Sequence, residues 1–272
     1  MSHARPDRDL KCDGFIPTPR GEAPYGVAQD LGADADGPDA CFQHDKHIRR
    51  GGNQASSESC VWWGMAGGLW MLCGILDLPQ QWLSVLAGYY WTRMRTHGGD
   101  RSKIYDGGCR TTDATEVVHE VGWCPDKDWP FVTYMKNEEP PMHAFLKATK
   151  RDWLRPRRVI AYGPEHARII RQTLSAPGKA ARPILRATRV NQTYLNWRPG
   201  DPAWRFRDPL KGRHLELVGN YDTAGIHRVS SWRDTYDRIE SWDSVENDYT
   251  AESWVLDVDV KAFEAFVRRM AG

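Results

Sequence analysis

The sequence lacks the features that mark membrane proteins and nucleic-acid-binding proteins. No apolar run is long enough to cross a bilayer, and residues 1–14 contain no apolar segment of the kind found in secretory signals. The 37 basic and 36 acidic residues leave a net charge of +1, so the basic excess typical of nucleic-acid binders is missing. We therefore expect no membrane span and no nucleic-acid partner. We expect a cytoplasmic location, or association with a virion if the protein is phage-encoded.

Cysteine is scarce, with six residues in a chain of 272. A chain of this length can bury enough apolar surface to fold without disulfide bonds, so we expect mostly reduced thiols. The 13 tryptophans are scattered along the sequence, and we interpret them as core residues. Cys41, His44 and His47, with Cys12 as a fourth ligand, are candidate zinc ligands. Their spacing matches no standard zinc finger, and we expect no metal and no cofactor.

Residues 53–75, NQASSESCVWWGMAGGLWMLCGI, join a polar loop to an apolar segment rich in small residues. A helix that begins near Ser59 or Cys60 places the Cys60 thiol at a helix N-terminus, where free N–H groups and the helix dipole favour the thiolate. Gln54 lies six residues upstream and can direct an amide donor at the same point. A thiolate beside an oxyanion donor is the centre of an acyl-transfer site. The alternative is a buried structural cysteine.

Four segments, in order, resemble the papain-like cysteine proteases, especially their divergent bacterial and phage-type members. The first segment is Gln54-x5-Cys60, with a serine before the cysteine. The resemblance covers about residues 50–260. The other three segments are 88–131, which contains Tyr-Tyr, Asp-Gly-Gly and Gly-Trp-Cys-Pro, then 214–222, HLELVGNYD, and finally Ser230-Ser231-Trp232.

The resemblance implies an α+β, papain-like fold of two lobes with a cleft between them. Residues 51–272 would form this domain, with a helical lobe at about 51–150 and an antiparallel sheet or barrel lobe at about 151–272. Residues 1–50, rich in Pro, Gly and Asp, are expected to form an extended arm that packs on the body without filling the cleft. The patterns predict helices at 60–76, 80–96, 111–121, 164–174 and 260–270, and strands at 158–162, 183–190, 214–221, 227–232 and 252–260.

The resemblance also implies roles for individual residues. Cys60 would attack the peptide carbonyl, His214 would take and return the proton, and Gln54 would stabilise the oxyanion. Without the resemblance, His214 is better explained as an ordinary surface histidine. Ser230 stands where the family has the asparagine that orients the imidazole. Its hydroxyl can accept from an imidazole N–H, with Asn220 or Asp222 as helpers, or else the site has decayed.

Gly107 and Gly108 resemble the glycine stretch along which an extended substrate lies, although a simple turn explains them equally well. Trp232 matches the tryptophan that shields the histidine hydrogen bond, and it completes the predicted substrate-binding set. Glu58 replaces the glycine usual in the family. Its carboxylate would raise the pKa of the thiol if it pointed inward, so we expect it to point outward.

These residues favour a cysteine peptidase that hydrolyses peptide bonds in a peptide or protein substrate through a Cys–His thiolate mechanism. One alternative is a catalytically impaired papain-like domain that serves as a structural or interaction protein, for example a virion component with an assembly partner. The other is a Cys–His amidase or acyl transferase that acts on cell wall.

Overall fold

The computed structural model describes residues 15–18, 37–148, 153–205, 209–232, 236–248 and 251–271. Within these ranges four helices precede the first strand, and four more lie between or after the strands. The helices are α1 (Cys60–Ile75), α2 (Val85–Thr96), α3 (Thr111–Glu120), α4 (Met142–Lys147), α5 (Pro164–Ser175), α6 (Gln192–Asn196), α7 (Trp242–Asn247) and α8 (Val260–Ala271). The strands are β1 (Arg157–Val159), β2 (Ile184–Val190), β3 (Gly212–Tyr221), β4 (Gly225–Val229), β5 (Asp237–Ser241) and β6 (Glu252–Val255).

Helix α1 is buried along almost its whole length and packs against the sheet. Its glycines permit this approach, because a methyl group at Gly64 would lie 2.3 Å from a Leu215 methyl carbon. At Gly68 the corresponding distance to Leu256 is 2.5 Å. The predicted helix at 60–76 is confirmed, and its N-terminus is placed directly beside strand β3.

The six strands form one antiparallel sheet in the order β1-β6-β2-β3-β4-β5. The sheet is open, so the expected barrel is not closed. Because side chains alternate along a strand, Leu215 and Leu217 face α1 in the main core, whereas His214 and Glu216 lie on the opposite face. This alternation decides the surroundings of the predicted base.

The two edges of the sheet differ in how they end. Strand β1 is only three residues long. Beyond β5, Trp204 pairs with the strand: its N–H donates to Ile239 O at 2.6 Å, and its carbonyl accepts from Ser241 N at 2.9 Å. Both edges are therefore short or covered.

Several element boundaries depart from the predictions. Helix α2 begins at Val85 rather than near residue 80, because Ser84 caps it by accepting from Ala87 N at 3.1 Å. Helix α3 begins at Thr111 as predicted, but Arg110 is the N-cap and no side chain caps it. Strand β5 and helices α4, α6 and α7 were not predicted. Across the described ranges, no helix is both long and apolar enough to cross a membrane.

Candidate active site

Cys60 is the first residue of α1 and is fully buried. Burial raises the pKa of its thiol to about 12, while hydrogen bonds from the backbone N–H groups of Leu215 and Val61 act in the opposite direction. The carboxylates of Glu216 and Glu58 raise the pKa further. The sulfur therefore lies against β3, next to the residue that follows His214, and its burial favours the neutral thiol.

His214 is also fully buried, and Trp232 stacks on its ring with the centroids 4.0 Å apart and the planes at 19°. Neither ring nitrogen makes a hydrogen bond within the described chain. The closest charged group is Glu216, whose Oε1 lies 3.5 Å from His214 Nε2. The pKa of His214 is lowered, because burial and the charge of Arg228 outweigh the raising effect of Glu216.

Ser230 does not hydrogen-bond to His214. Its hydroxyl accepts from the N–H of Trp232 at 3.1 Å, and both imidazole nitrogens are without such a bond. The two proposed helpers are also engaged elsewhere. Asn220 donates to Asp45, and Asp222 faces His227 at 3.0 Å.

Gln54 is fully buried and fixes the loop of residues 54–59 that precedes Cys60. Its Nε2 donates to Ser57 O at 2.9 Å, and its Oε1 accepts from the Ser231 hydroxyl at 2.6 Å. The Gln54 backbone N–H donates to Ser231 O at 2.8 Å. The amide therefore holds the loop of residues 54–59 to Ser231, just after β4, and its donor is directed at a carbonyl of that loop.

Asp106, just before the predicted glycine pair, is a hub that the sequence did not reveal. Its Oδ1 accepts from Glu58 N at 3.0 Å and from the Tyr89 hydroxyl at 2.8 Å, and its Oδ2 accepts from Lys136 Nζ at 2.6 Å. Tyr89 also donates to Gly107 O at 2.7 Å. These bonds connect the loop of residues 54–59 to the segment that contains Gly107 and Gly108. Glu58 itself is half-buried.

A described piece of the N-terminal arm lies against this segment. The N–H of Ile16 donates to Cys109 O at 3.0 Å, and Phe15 packs in the same core cluster as Cys60 and Cys109. The N–H of Thr18 donates to Glu252 Oε1 at 2.8 Å. Residues 15–18 of the arm therefore run from Cys109 to Glu252 of the sheet.

A cavity of about 140 Å³ opens between α1 and the β3–β4 pair. Gly64, Leu215, Glu216 and Ser230 help to line it, but Cys60 and His214 are not among its lining residues. Binding of a substrate at the thiol therefore requires the site to open from this closed arrangement.

The candidate zinc ligands do not form a metal site in the part of the chain that the structure describes. No group of three His, Cys, Asp or Glu side chains there is arranged to hold an ion. Cys41 donates to Leu174 O at 3.4 Å instead. Cys12 lies outside the described residues.

The fold is papain-like, as the sequence resemblance implied. The sequence matches no family model, and it matches no curated protein. Solved structures of papain-like cysteine proteases do share its fold.

Xylellain, a cysteine protease from Xylella fastidiosa, is 18% identical with a TM-score of 0.66 and covers 89% of this chain and 98% of its own. The cysteine protease CMS1MS2 of Carica candamarcensis is 14% identical with a TM-score of 0.58 and covers 81% and 99%. Digestive procathepsin L 3 of Tenebrio molitor is 13% identical with a TM-score of 0.61 and covers 87% and 76%.

Proposed function

We propose that this chain is a cysteine peptidase, with Cys60 as the nucleophile and His214 as the general base and acid. The observation that carries the proposal is the position of the buried Cys60 at the N-terminus of α1, the helix that packs against Leu215 of β3. Leu215 follows His214 directly, so the thiol lies against the strand that carries His214, although the imidazole is on the opposite face of that strand and stacks on Trp232. The fold supports the same chemistry, because its structural neighbours are cysteine proteases.

In the proposed reaction, His214 takes the thiol proton and the thiolate attacks the carbonyl carbon of the scissile peptide bond. The C–N bond breaks as His214 returns the proton to the leaving amine, which leaves a thioester on Cys60. Water, deprotonated by His214, hydrolyses the thioester and restores the thiol. The Cys60 backbone N–H and the Gln54 amide, released from Ser57, stabilise the oxyanion.

A thiol-directed peptidyl epoxide and a fluorogenic peptide library test this proposal. The wild-type protein is compared with Cys60→Ala and with the matched control Cys73→Ala, which removes a buried thiol from the same helix. We expect labelling and cleavage in the wild type and in the control, and neither in Cys60→Ala.

Two other outcomes would reject the peptidase. Labelling at Cys60 without cleavage of any peptide would point to acyl transfer or amidase chemistry, which peptidoglycan fragments would then test. Absence of labelling in all three proteins would leave a papain-like fold without catalysis.

A further inference from the structure

His214 faces a carboxylate on its own strand. Glu216 lies two residues further along β3, on the same face, and its Oε1 is 3.5 Å from His214 Nε2. Both side chains are fully buried. An imidazole in such a place needs a partner for its N–H, because an unpaired polar group away from water costs free energy. Glu216 is the acceptor that the fold places nearest to this nitrogen.

A line of buried ion pairs holds Glu216 in place. Its Oε2 lies 3.1 Å from Arg228 Nε, and Arg228 Nη1 lies 3.0 Å from Glu240 Oε2. Arg186 Nη2 completes the line at 2.8 Å from Glu240 Oε1. All four side chains are fully buried. Opposite charges alternate along the line, so the carboxylate next to His214 keeps its charge although it is away from water.

Other titratable groups surround the pair. Arg238 on β5 interacts with both His214 and Glu216, and it favours the ionised carboxylate and the neutral imidazole. Tyr194 on α6 lies beside Glu216, which helps to keep its phenol protonated. Trp232 covers the ring of His214. Within the part of the chain that the structure describes, Glu216 is the negative group that contacts the imidazole.

We propose that Glu216 is the positioning residue for His214, in the role that the sequence suggested for Ser230. Nε2 and Glu216 Oε1 are 3.5 Å apart without a formed hydrogen bond; in the reacting enzyme Glu216 closes this gap, accepts the Nε2–H and thereby fixes the tautomer in which Nδ1 carries the free lone pair. When His214 takes the thiol proton at Nδ1, the Nε2–H stays with Glu216, whose charge stabilises the imidazolium. Nδ1 has no other partner in the described chain. This inference rests on the proposed function for its catalytic meaning.

The rival explanation is that Glu216 is only the counter-ion of Arg228. A structural role of that kind would be shared by Glu240, which contacts the same arginine but not His214. Glu240→Gln is therefore the matched control for Glu216→Gln. Each variant removes one buried negative charge from the same line of ion pairs.

The test is the titration of His214 by nuclear magnetic resonance, with the signal assigned by its loss in His214→Asn. The measurements are made in a Cys60→Ala background, so they do not depend on whether the wild-type protein cleaves peptides. We expect the Nε2–H tautomer in the parent. In Glu216→Gln the His214 midpoint should fall by about one to three pH units, which is the usual effect of a lost opposite charge at this range. Glu240→Gln should move it much less.

An unchanged midpoint in Glu216→Gln would overturn the proposal, and so would an equal shift in both variants. If Glu216→Gln does not fold, Glu216→Asp carries the test, because it keeps the charge but withdraws it from Nε2. A partial fall in the midpoint then supports the proposal, and no fall overturns it.

Peptide hydrolysis supplies a second measurement in proteins that retain Cys60. Glu216→Gln should lower kcat about tenfold or more with little change in KM, and Glu216→Asp should restore part of the loss. If the wild-type protein proves inactive, the proposed function fails while the titration still decides the contact.

Discussion

Asp106 offers a quantitative test of how the loop of residues 54–59, which precedes Cys60, is held. Asp106→Asn keeps Oδ1 as an acceptor for Glu58 N–H and the Tyr89 hydroxyl, but it places an amide donor against Lys136 Nζ, 2.6 Å from the present Oδ2. The side chains of Lys136 and Asp106 are 19% and 8% exposed. The ion pair is therefore nearer to the buried class than to the surface class, in which pairs contribute little.

The expected cost follows from these contacts. Loss of a mostly buried ion pair costs about 2 kcal/mol, between the surface and the fully buried values. The two remaining hydrogen bonds change from a charged to a neutral acceptor, which weakens them by about 1 kcal/mol together. We therefore expect the free energy of unfolding, measured by urea titration, to fall by about 3 kcal/mol.

The control is Asp100→Asn, which changes an exposed aspartate that also contacts a lysine, Lys103. This variant should have nearly the stability of the wild type. If Asp106→Asn is no less stable than Asp100→Asn, the contacts of Asp106 do not hold the loop of residues 54–59, and the predicted loss of stability is wrong. Hydrogen exchange at the Glu58 amide, which donates to Asp106, should also become faster in Asp106→Asn only.

Three further predictions concern packing, access and pH. Gly88→Ala should lower the free energy of unfolding in urea by about 1–3 kcal/mol, although alanine has the better helix propensity. The reason is that the new methyl would lie 2.3 Å from the Trp62 ring. Unchanged stability would contradict this close packing. Ile16→Pro removes the N–H that donates to Cys109 O. Because the arm is expected to leave the cleft free, this change should leave the rate of iodoacetamide alkylation at Cys60 nearly unchanged; a severalfold faster rate would contradict that expectation. Burial raises the pKa of Glu216, but Arg228 and the His214 imidazole lower it more. The pKa is therefore about 2, below the unfolded value of 4.5. The stability that Glu216 contributes is therefore present above about pH 4.5 and is lost as the pH falls towards 2, so acid unfolding should depend less on pH in Glu216→Gln.

The sequence predicted the parts of the fold that have a local signal. Helix α1 follows from an apolar segment rich in small residues after a polar loop, and α5 from its amphipathic pattern. Strand β5 was missed for a physical reason. Its inward-facing residues, Arg238 and Glu240, are charged and buried, so the hydrophobic alternation that identifies a strand is absent.

The predicted site residues differ in how far their contacts could be foreseen. Cys60 lies at a helix N-terminus because the polar loop and the apolar segment meet there, and this boundary can be predicted from the sequence alone. The partners of Gln54 and Ser230 depend on which neighbouring backbone groups are free, which the sequence does not specify. The spacing His214-x-Glu216 did contain a signal, since a strand places both side chains on one face.

The ends of the sheet have a consequence for the behaviour of the protein in solution. An open sheet exposes rows of unpaired backbone groups that can recruit strands from other molecules. Here one end is a strand of three residues that starts with Arg157 and Arg158, and the other is paired with Trp204. Neither offers a long apolar template, so concentrated solutions of the folded protein should resist growth of intermolecular β-structure.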